Sequence, residues 1–148
     1  MMIQNQELRL TTVLFRAFNH IQDVIKKDIS SYHLNFAEFG TLEVLYHKGK
    51  LPIQDVCDKM LMPNSSMTYV VNQLFLKGYI IKEQSSHDKR QTIVSLSQKG
   101  NTFFKHIFQQ HQKTLHKIYD ILKPEEVEML TMLLKNVGYH AKAIGESI

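Results

Sequence analysis

The chain has few of the features that define several other classes of protein. It contains one cysteine, Cys57, so no disulfide can form within it. No apolar run is long enough to cross a bilayer. The first residues lack the basic-then-apolar pattern of a secretion signal. We therefore expect a cytoplasmic protein with no membrane partner.

Motifs for catalysis and metal binding are also scarce. Residues 98–101 contain a Lys-Gly pair without the preceding glycine of a nucleotide-phosphate loop, and no nucleophile stands beside an evident base. No two of the eight histidines are three or four residues apart, so no helix presents a paired metal ligand. The sequence predicts no enzyme, no catalytic residues, no cofactor and no metal. A site assembled between helices stays an alternative.

Length and charge indicate a small globular protein with one basic region. The 148 residues fit one domain, and 43% hydrophobic with 22% charged residues is ordinary for a globular chain. Residues 77–105 hold six basic and two acidic residues, which equals the whole chain's net charge of +4. Concentration of this charge in one region favours a phosphate-binding surface. A basic but merely solvated surface is the alternative.

Residues 64–100 change from a helical to a strand pattern. Residues 79–82 and 92–96 are predicted strands, joined by a polar loop. The segment before them starts with small polar residues and ends at Gly78, as helices often do. Its apolar residues are spaced three and four apart: Met67, Val70, Val71, Leu74 and Phe75. A helix followed by a basic hairpin suits contact with a nucleic-acid duplex at two places.

Three motifs in this region resemble those of the MarR family of bacterial winged helix-turn-helix transcription regulators. Asp88-Lys89-Arg90 resembles the family's D-x-R wing signature. Residues 74–80 are similar to its L-x-x-K/R-G-x-I/V motif, and residues 96–100 to its L-S/T-x-x-G motif. The resemblance covers nearly the whole chain. It implies a mainly α fold with a small antiparallel β-hairpin and long terminal dimerisation helices.

A recognition helix must bury one face and present the other to the major groove. We expect Val70, Val71, Leu74 and Phe75 to be buried. No arginine or lysine precedes Lys77 in this helix, so bidentate guanine contacts are not expected and shape-dependent or A·T-rich operators are favoured. The residues predicted to contact DNA are Asn64, Ser65, Ser66, Thr68, Tyr69 and Asn72.

The hairpin tip supplies the other predicted DNA contacts, Asp88, Lys89 and Arg90. Arg90 suits a narrow minor groove, where the negative potential is enhanced. Asp88 is predicted to hold the guanidinium of Arg90 through paired hydrogen bonds. The alternative is that Asp88 and Arg90 only stabilise the turn.

Helices are predicted on both sides of this region. The first covers about residues 6–29. The second begins at Asn35, where Glu38 completes a capping box, and ends at Gly49. A short strand at Leu51–Pro52 and a helix over residues 53–60 follow. A helix over about residues 97–122 follows the hairpin, and Pro124 begins the last one.

The terminal helices carry apolar stripes that one winged domain cannot bury. We expect a single domain, 1–148, with a winged DNA-binding part at about 33–100 and helical dimerisation parts at about 1–32 and 101–148. The resemblance implies a homodimer on a pseudo-palindromic operator in double-stranded DNA. An intramolecular bundle is the alternative. The last stripe consists of Val127, Leu130, Leu134, Val137, Ala141 and Ile144.

The resemblance also implies a small-molecule effector, bound where the dimerisation helices meet the winged part. Aromatic and histidine side chains on these helices suit a phenol or a quinone. The candidate ligand-binding residues are Phe18, His20, His33, Phe36 and Phe39. The predicted function is therefore a sequence-specific, homodimeric repressor released by such a ligand.

Two alternatives differ in what the protein senses or binds. One is a metal- or redox-responsive regulator of the same fold. Cys57 shares an apolar helix face with Ile53, Val56 and Met60, which favours a core position. Oxidant sensors of the resembled family carry a reactive cysteine in the first helix, and here that helix has none. The other alternative is a helical protein-interaction adaptor, which would not need the basic hairpin.

Overall fold

The structure, a computed structural model, describes residues 2–60 and 62–148, with side chains from residue 5 onward except that of Asn64. The predicted fold class is confirmed, because helices dominate and the strands form one small antiparallel sheet. No described helix has the length and apolar character needed to span a bilayer. The elements are α1 Met2–Ser30, α2 Phe36–Lys48, β1 Leu51–Pro52, α3 Ile53–Met60, α4 Asn64–Leu76, β2 Ile80–Gln84, β3 Thr92–Leu96, α5 Gln98–Tyr119 and α6 Pro124–Ser147.

The predicted start and end of α2 are both confirmed. Asn35 Oδ1 accepts a hydrogen bond from the Glu38 amide at 2.8 Å, and Glu38 Oε1 accepts one from the Asn35 amide at 3.1 Å. This reciprocal pair satisfies two amides that the first helical turn leaves unpaired. Gly49 follows the helix with a φ of 78°, which a residue without Cβ adopts at little cost.

The three strands form a sheet in the order β1-β3-β2. β2 and β3 are the predicted hairpin, with Ile80 opposite Leu96 and Gln84 opposite Thr92. β1, predicted as a short connecting strand, pairs with β3 through Leu51 opposite Val94. Ile80 and Val94 are buried, so the sheet's inner face closes on the helical core.

The chain divides into two compact units, of which the first ends at Gln112 and the second is Lys113–Ile148. In the second unit no described side chain is buried, and α6 begins at Pro124 as predicted. The domain boundaries expected from the sequence stay a prediction. The core of the first unit consists of Ile29, Leu34, Phe39, Leu42, Leu45, Val56, Cys57, Met67, Val70, Val71, Leu74, Ile80, Val94, Phe104 and Ile107.

Candidate nucleic-acid interface

Helix α4 separates a buried face from an exposed polar face. Met67, Val70, Val71 and Leu74 are buried in the core of the first unit. The N-cap of α4 is Pro63, which has no side-chain acceptor and makes no capping hydrogen bond. The side chain of Asn64 lies outside the described residues. Ser65, Ser66, Thr68, Tyr69 and Asn72 are all exposed.

The prediction that Phe75 belongs to the buried face is wrong. Its ring is 46% exposed, although Leu74 beside it is fully buried. The Nζ atom of Lys82, on β2, lies 4.4 Å from the centroid of the Phe75 ring. The same Nζ donates a hydrogen bond to Asn72 Oδ1 at 2.7 Å. Phe75 therefore supports a lysine at the edge of the polar face instead of filling the core.

The loop between β2 and β3 is shaped by hydrogen bonds to its own backbone. Asp88 Oδ1 accepts from the Arg90 amide at 3.0 Å, and the amides of His87 and Asp88 donate to Ser85 Oγ. The predicted pairing of Asp88 with the Arg90 guanidinium is wrong, since no ion pair joins the two side chains in the described part of the chain. A carboxylate two residues before an amide closes an Asx turn, which competes with that pairing.

One groove brings the recognition helix and the hairpin together. Thr68 on α4 and Arg90 in the loop both line this groove, which has a volume of about 290 Å³. Gln54, in the first turn of α3, and Gln91 also line it. Sequence reasoning missed both glutamines, because no local pattern shows that α3 reaches the hairpin. Asp88 and Lys89 are exposed in the same loop.

The carboxyl-terminal end of α4 is tied to two other elements. Lys77 Nζ donates to Glu38 Oε2 at 2.8 Å and to the His33 carbonyl oxygen at 3.3 Å. Lys99 Nζ donates to the Lys77 carbonyl oxygen at 3.0 Å. A Cβ at Gly100 would lie 1.9 Å from the Tyr79 carbonyl oxygen, so the motif glycine permits a close backbone approach. These contacts fix where the recognition helix ends relative to α2 and α5.

The candidate ligand-binding residues lie in different environments. Phe39 is a core side chain, and its ring centroid lies 5.4 Å from that of Phe104. Phe18 and Phe36 are 59% and 45% exposed, and His20 and His33 are also exposed. A role for these five residues in ligand binding stays a prediction.

A partly buried polar network lies beside Phe39 and was missed from the sequence. Asp28 Oδ2 lies 2.8 Å from His111 Nδ1, and the Tyr32 hydroxyl donates to Asp28 Oδ1 at 2.8 Å. Burial, and then the hydrogen bond and charge of Asp28, raise the pKa of Tyr32. The His111 ring centroid lies 4.7 Å from that of Phe39. Asp28 and His111 are 83 residues apart, so no local motif signals the pair.

Cys57 occupies the core position expected for it. Its side chain is 2% exposed, and burial followed by the charge of Asp58 raises the pKa of the thiol. A raised pKa lowers the thiolate fraction, which is the form that reacts with oxidants. Within residues 2–60 and 62–148, no group of three or more histidine, cysteine or acidic side chains is arranged to hold a metal ion.

Comparison with known proteins identifies relatives across nearly the whole chain. The family described as transcriptional regulator SarA/Rot matches residues 23–107. The HTH-type transcriptional regulator MhqR of Bacillus subtilis strain 168 is 41% identical over 137 residues. That alignment covers 93% of this chain and 94% of MhqR.

Solved structures of similar proteins have the same fold. A cysteine-to-serine mutant of MarR from E. coli, complexed with operator DNA, superposes with a TM-score of 0.78 at 19% identity, over 90% of this chain and 96% of that one. NadR in complex with 4-hydroxyphenylacetate superposes with a TM-score of 0.71 at 18% identity, over 86% and 91% of the two chains. At these identities the likeness establishes the fold alone.

Proposed function

Since this chain belongs to the MarR family of winged helix-turn-helix transcription regulators, we propose that it is a homodimeric repressor released by a small aromatic ligand. As a family member it is a DNA-binding transcription regulator. Its relatives are named as regulators, which favours a protein without catalytic activity. The bacterial chromosome lies in the cytoplasm, so we propose that this regulator also acts there.

The observation that carries the proposal is the groove shared by Thr68 and Arg90. It lies between the exposed face of α4 and the basic loop, so one duplex can contact both. In the proposed complex the exposed face of α4 enters the major groove and Arg90 reaches the adjacent minor groove. Because Asp88 binds the backbone of Arg90, the guanidinium keeps its charge available for DNA. MarR from E. coli, which shares this fold, is solved in complex with operator DNA, and this supports DNA as the partner.

The second unit supports assembly into a homodimer. Helix α6 has 24 residues, and none of its described side chains is buried. Val127, Leu130, Leu134 and Val137 are between 37% and 56% exposed. Apolar stripes of this length are normally covered. A second copy, related by a two-fold axis, would cover them and would place two recognition helices on the half-sites of a pseudo-palindrome.

The proposed effector is a phenol, a quinone or a related aromatic acid. NadR, which shares the fold, is solved in complex with 4-hydroxyphenylacetate. The candidate contacts are Phe18, His20, His33, Phe36 and Phe39, of which Phe36 and Phe39 lie on α2. Glu38 on the same helix binds Lys77 at the end of α4, so a ligand that shifts α2 would also move the recognition helix.

The test is a titration of the protein onto duplexes from upstream of its own gene and neighbouring genes, at several salt concentrations. We expect tight binding that weakens steeply with salt, because phosphate contacts release counterions. Phenols, quinones and benzoic acids are then added to the complex. Release of the DNA by one of these classes of compound supports the proposed effector. If the protein binds none of the duplexes at low salt, the proposed repressor is contradicted and a protein-interaction adaptor is favoured.

A further inference from the structure

The ammonium group of Lys82 is held at the edge of the recognition helix by two contacts. It donates to Asn72 Oδ1 at 2.7 Å, and it lies 4.4 Å from the centroid of the Phe75 ring. Attraction of a cation to a ring face is favourable in its own right. The two contacts come from residues three apart on α4, so they fix the ammonium relative to the helix.

This arrangement determines which atoms Asn72 can offer to DNA. An asparagine amide has an oxygen with two acceptor sites and a nitrogen with two donor hydrogens. Here Lys82 takes one acceptor site and holds the oxygen toward β2, and in the described part of the chain nothing pairs with Asn72 Nδ2. We propose that Lys82 is a positioning residue that fixes Asn72 as a hydrogen-bond donor toward the operator. The inference rests on the proposed function, since it requires α4 to lie in the major groove.

An asparagine held in this orientation has a different base preference from an unrestrained one. Bidentate recognition of adenine needs the amide oxygen to accept from N6 while the amide nitrogen donates to N7. With its oxygen held toward Lys82 and away from the base edge, Asn72 can still donate to acceptors such as guanine O6 or N7 and thymine O4. Lys82 therefore disfavours adenine at one base pair in each half-site.

Two other roles for Lys82 give different results. A lysine that binds phosphate affects all sequences alike and contributes about one unit to the slope of affinity against salt. A lysine that only stabilises the fold affects the unfolding transition. The adjacent pair of Glu83 and Lys50, with a separation of 3.4 Å, is exposed and does not involve Asn72. Base preference at a single position distinguishes the positioning role from both.

The experiment selects bound duplexes from a library randomised over roughly two helical turns, about 20 base pairs, with the full-length protein. Five variants are compared with the wild type: Lys82→Met, Lys82→Arg, Asn72→Ala, the double variant Lys82→Met with Asn72→Ala, and Lys50→Met. Methionine keeps an unbranched side chain over Phe75 but removes the donor. Lys50→Met is the matched control, because it removes an exposed lysine that pairs with Glu83, next to Lys82, and has no contact with Asn72 in the described structure.

We expect Lys82→Met to gain preference for adenine at one position per half-site, on the order of tenfold, with the salt dependence unchanged. Lys82→Arg keeps the donor and should retain the wild-type preference. Asn72→Ala should lose discrimination at that position, and adding Lys82→Met to it should change nothing further. Lys50→Met should leave the preference unaltered.

The outcomes separate this inference from the function on which it rests. If the wild type selects no motif, the repressor proposal fails and the inference fails with it. If it selects a motif but Lys82→Met shows the same base preference, or an equal loss on all sequences, only the positioning role of Lys82 is overturned. A preference that changes equally in the Asn72→Ala background would also overturn it, because the effect would not pass through Asn72.

Discussion

The two units of the chain differ in how far their apolar side chains are buried. In the first unit Leu42, Met67, Leu74 and Phe104 are completely buried, and the sheet closes one side of the core. In the second unit Leu130, Leu133 and Leu134 are between 42% and 50% exposed. Burial of a leucine contributes about 1.5–3 kcal/mol to folding, so only the first unit stabilises itself in this way. The second unit needs a cover, which the proposed dimer supplies.

The same substitution in each unit gives the largest expected contrast. Leu42→Ala removes a fully buried side chain and should lower the free energy of unfolding by about 2–5 kcal/mol, independently of protein concentration. Leu130→Ala should destabilise the protein only at concentrations where dimers form. Urea denaturation at several protein concentrations measures both. Equal losses at every concentration would show that the chain covers α6 by itself.

A charged residue in the exposed apolar stripe of α6 tests more directly whether a second copy of the chain covers that stripe. Leu130→Glu places two carboxylates in the proposed two-fold interface and should weaken association by about 3 kcal/mol, roughly a hundredfold. Sedimentation at micromolar concentration should show monomers. Circular dichroism should show that their helical content is unchanged. An unaltered dimer would mean that Leu130 lies outside the interface.

The first unit should tolerate changes on its DNA-facing surface. Arg90→Ala removes no core volume and should change the free energy of unfolding by less than about half a kcal/mol. Operator affinity should fall by at least about tenfold, because the cation is lost twice per dimer. Unchanged affinity at physiological salt would mean that the hairpin does not touch DNA. Asp88→Asn, which keeps the acceptor for the Arg90 amide, should have little effect on binding.

A pH titration examines the partly buried polar network of Asp28, Tyr32 and His111 in the first unit. The raised pKa of Tyr32 means that the folded state favours the neutral phenol. The unfolded chain's tyrosine ionises at about pH 10, so the stability of the wild type should decrease above this pH. Tyr32→Phe should cost about 1 kcal/mol at neutral pH through the lost hydrogen bond. Above pH 10 the stability of Tyr32→Phe should fall less with pH than that of the wild type. An equal fall in the two proteins would contradict the raised pKa assigned to Tyr32.

The smallest effect is expected at Cys57. Cys57→Ser should leave operator binding and its response to peroxide unchanged, because the thiol is buried and its pKa is raised. Gel shifts with and without peroxide measure this. Loss of the peroxide response in a folded variant would identify Cys57 as a sensor and restore the redox-responsive alternative.

Features that depend on neighbours in sequence were predictable. The capping box of Asn35 and Glu38, the stop at Gly49 and the start at Pro124 each need only a few adjacent residues, and the structure contains all three. The hairpin was also evident, because alternation within each strand specifies it. The motifs that carry the family resemblance are also defined by residues close together in the sequence.

Features that depend on tertiary packing were not predictable. Phe75 has the right spacing for the core, but β2 places Lys82 over its ring. Asp88 was expected to bind a side chain and instead binds the amide of Arg90, because the turn conformation decides which donor is nearer. Gln54 and the pair of Asp28 and His111 depend on segments far apart in the chain. Periodicity alone does not encode such contacts.

The order of the strands also affects how the protein behaves when crowded. β1 and β2 are the edges of the sheet, and edges can recruit strands from other molecules. β1 has only two residues, and one of them, Pro52, has no amide hydrogen to donate. β2 carries Lys82 and Glu83, whose charged groups would have to lose water if another strand paired with this edge. The hairpin can therefore stay exposed for DNA without nucleating aggregation.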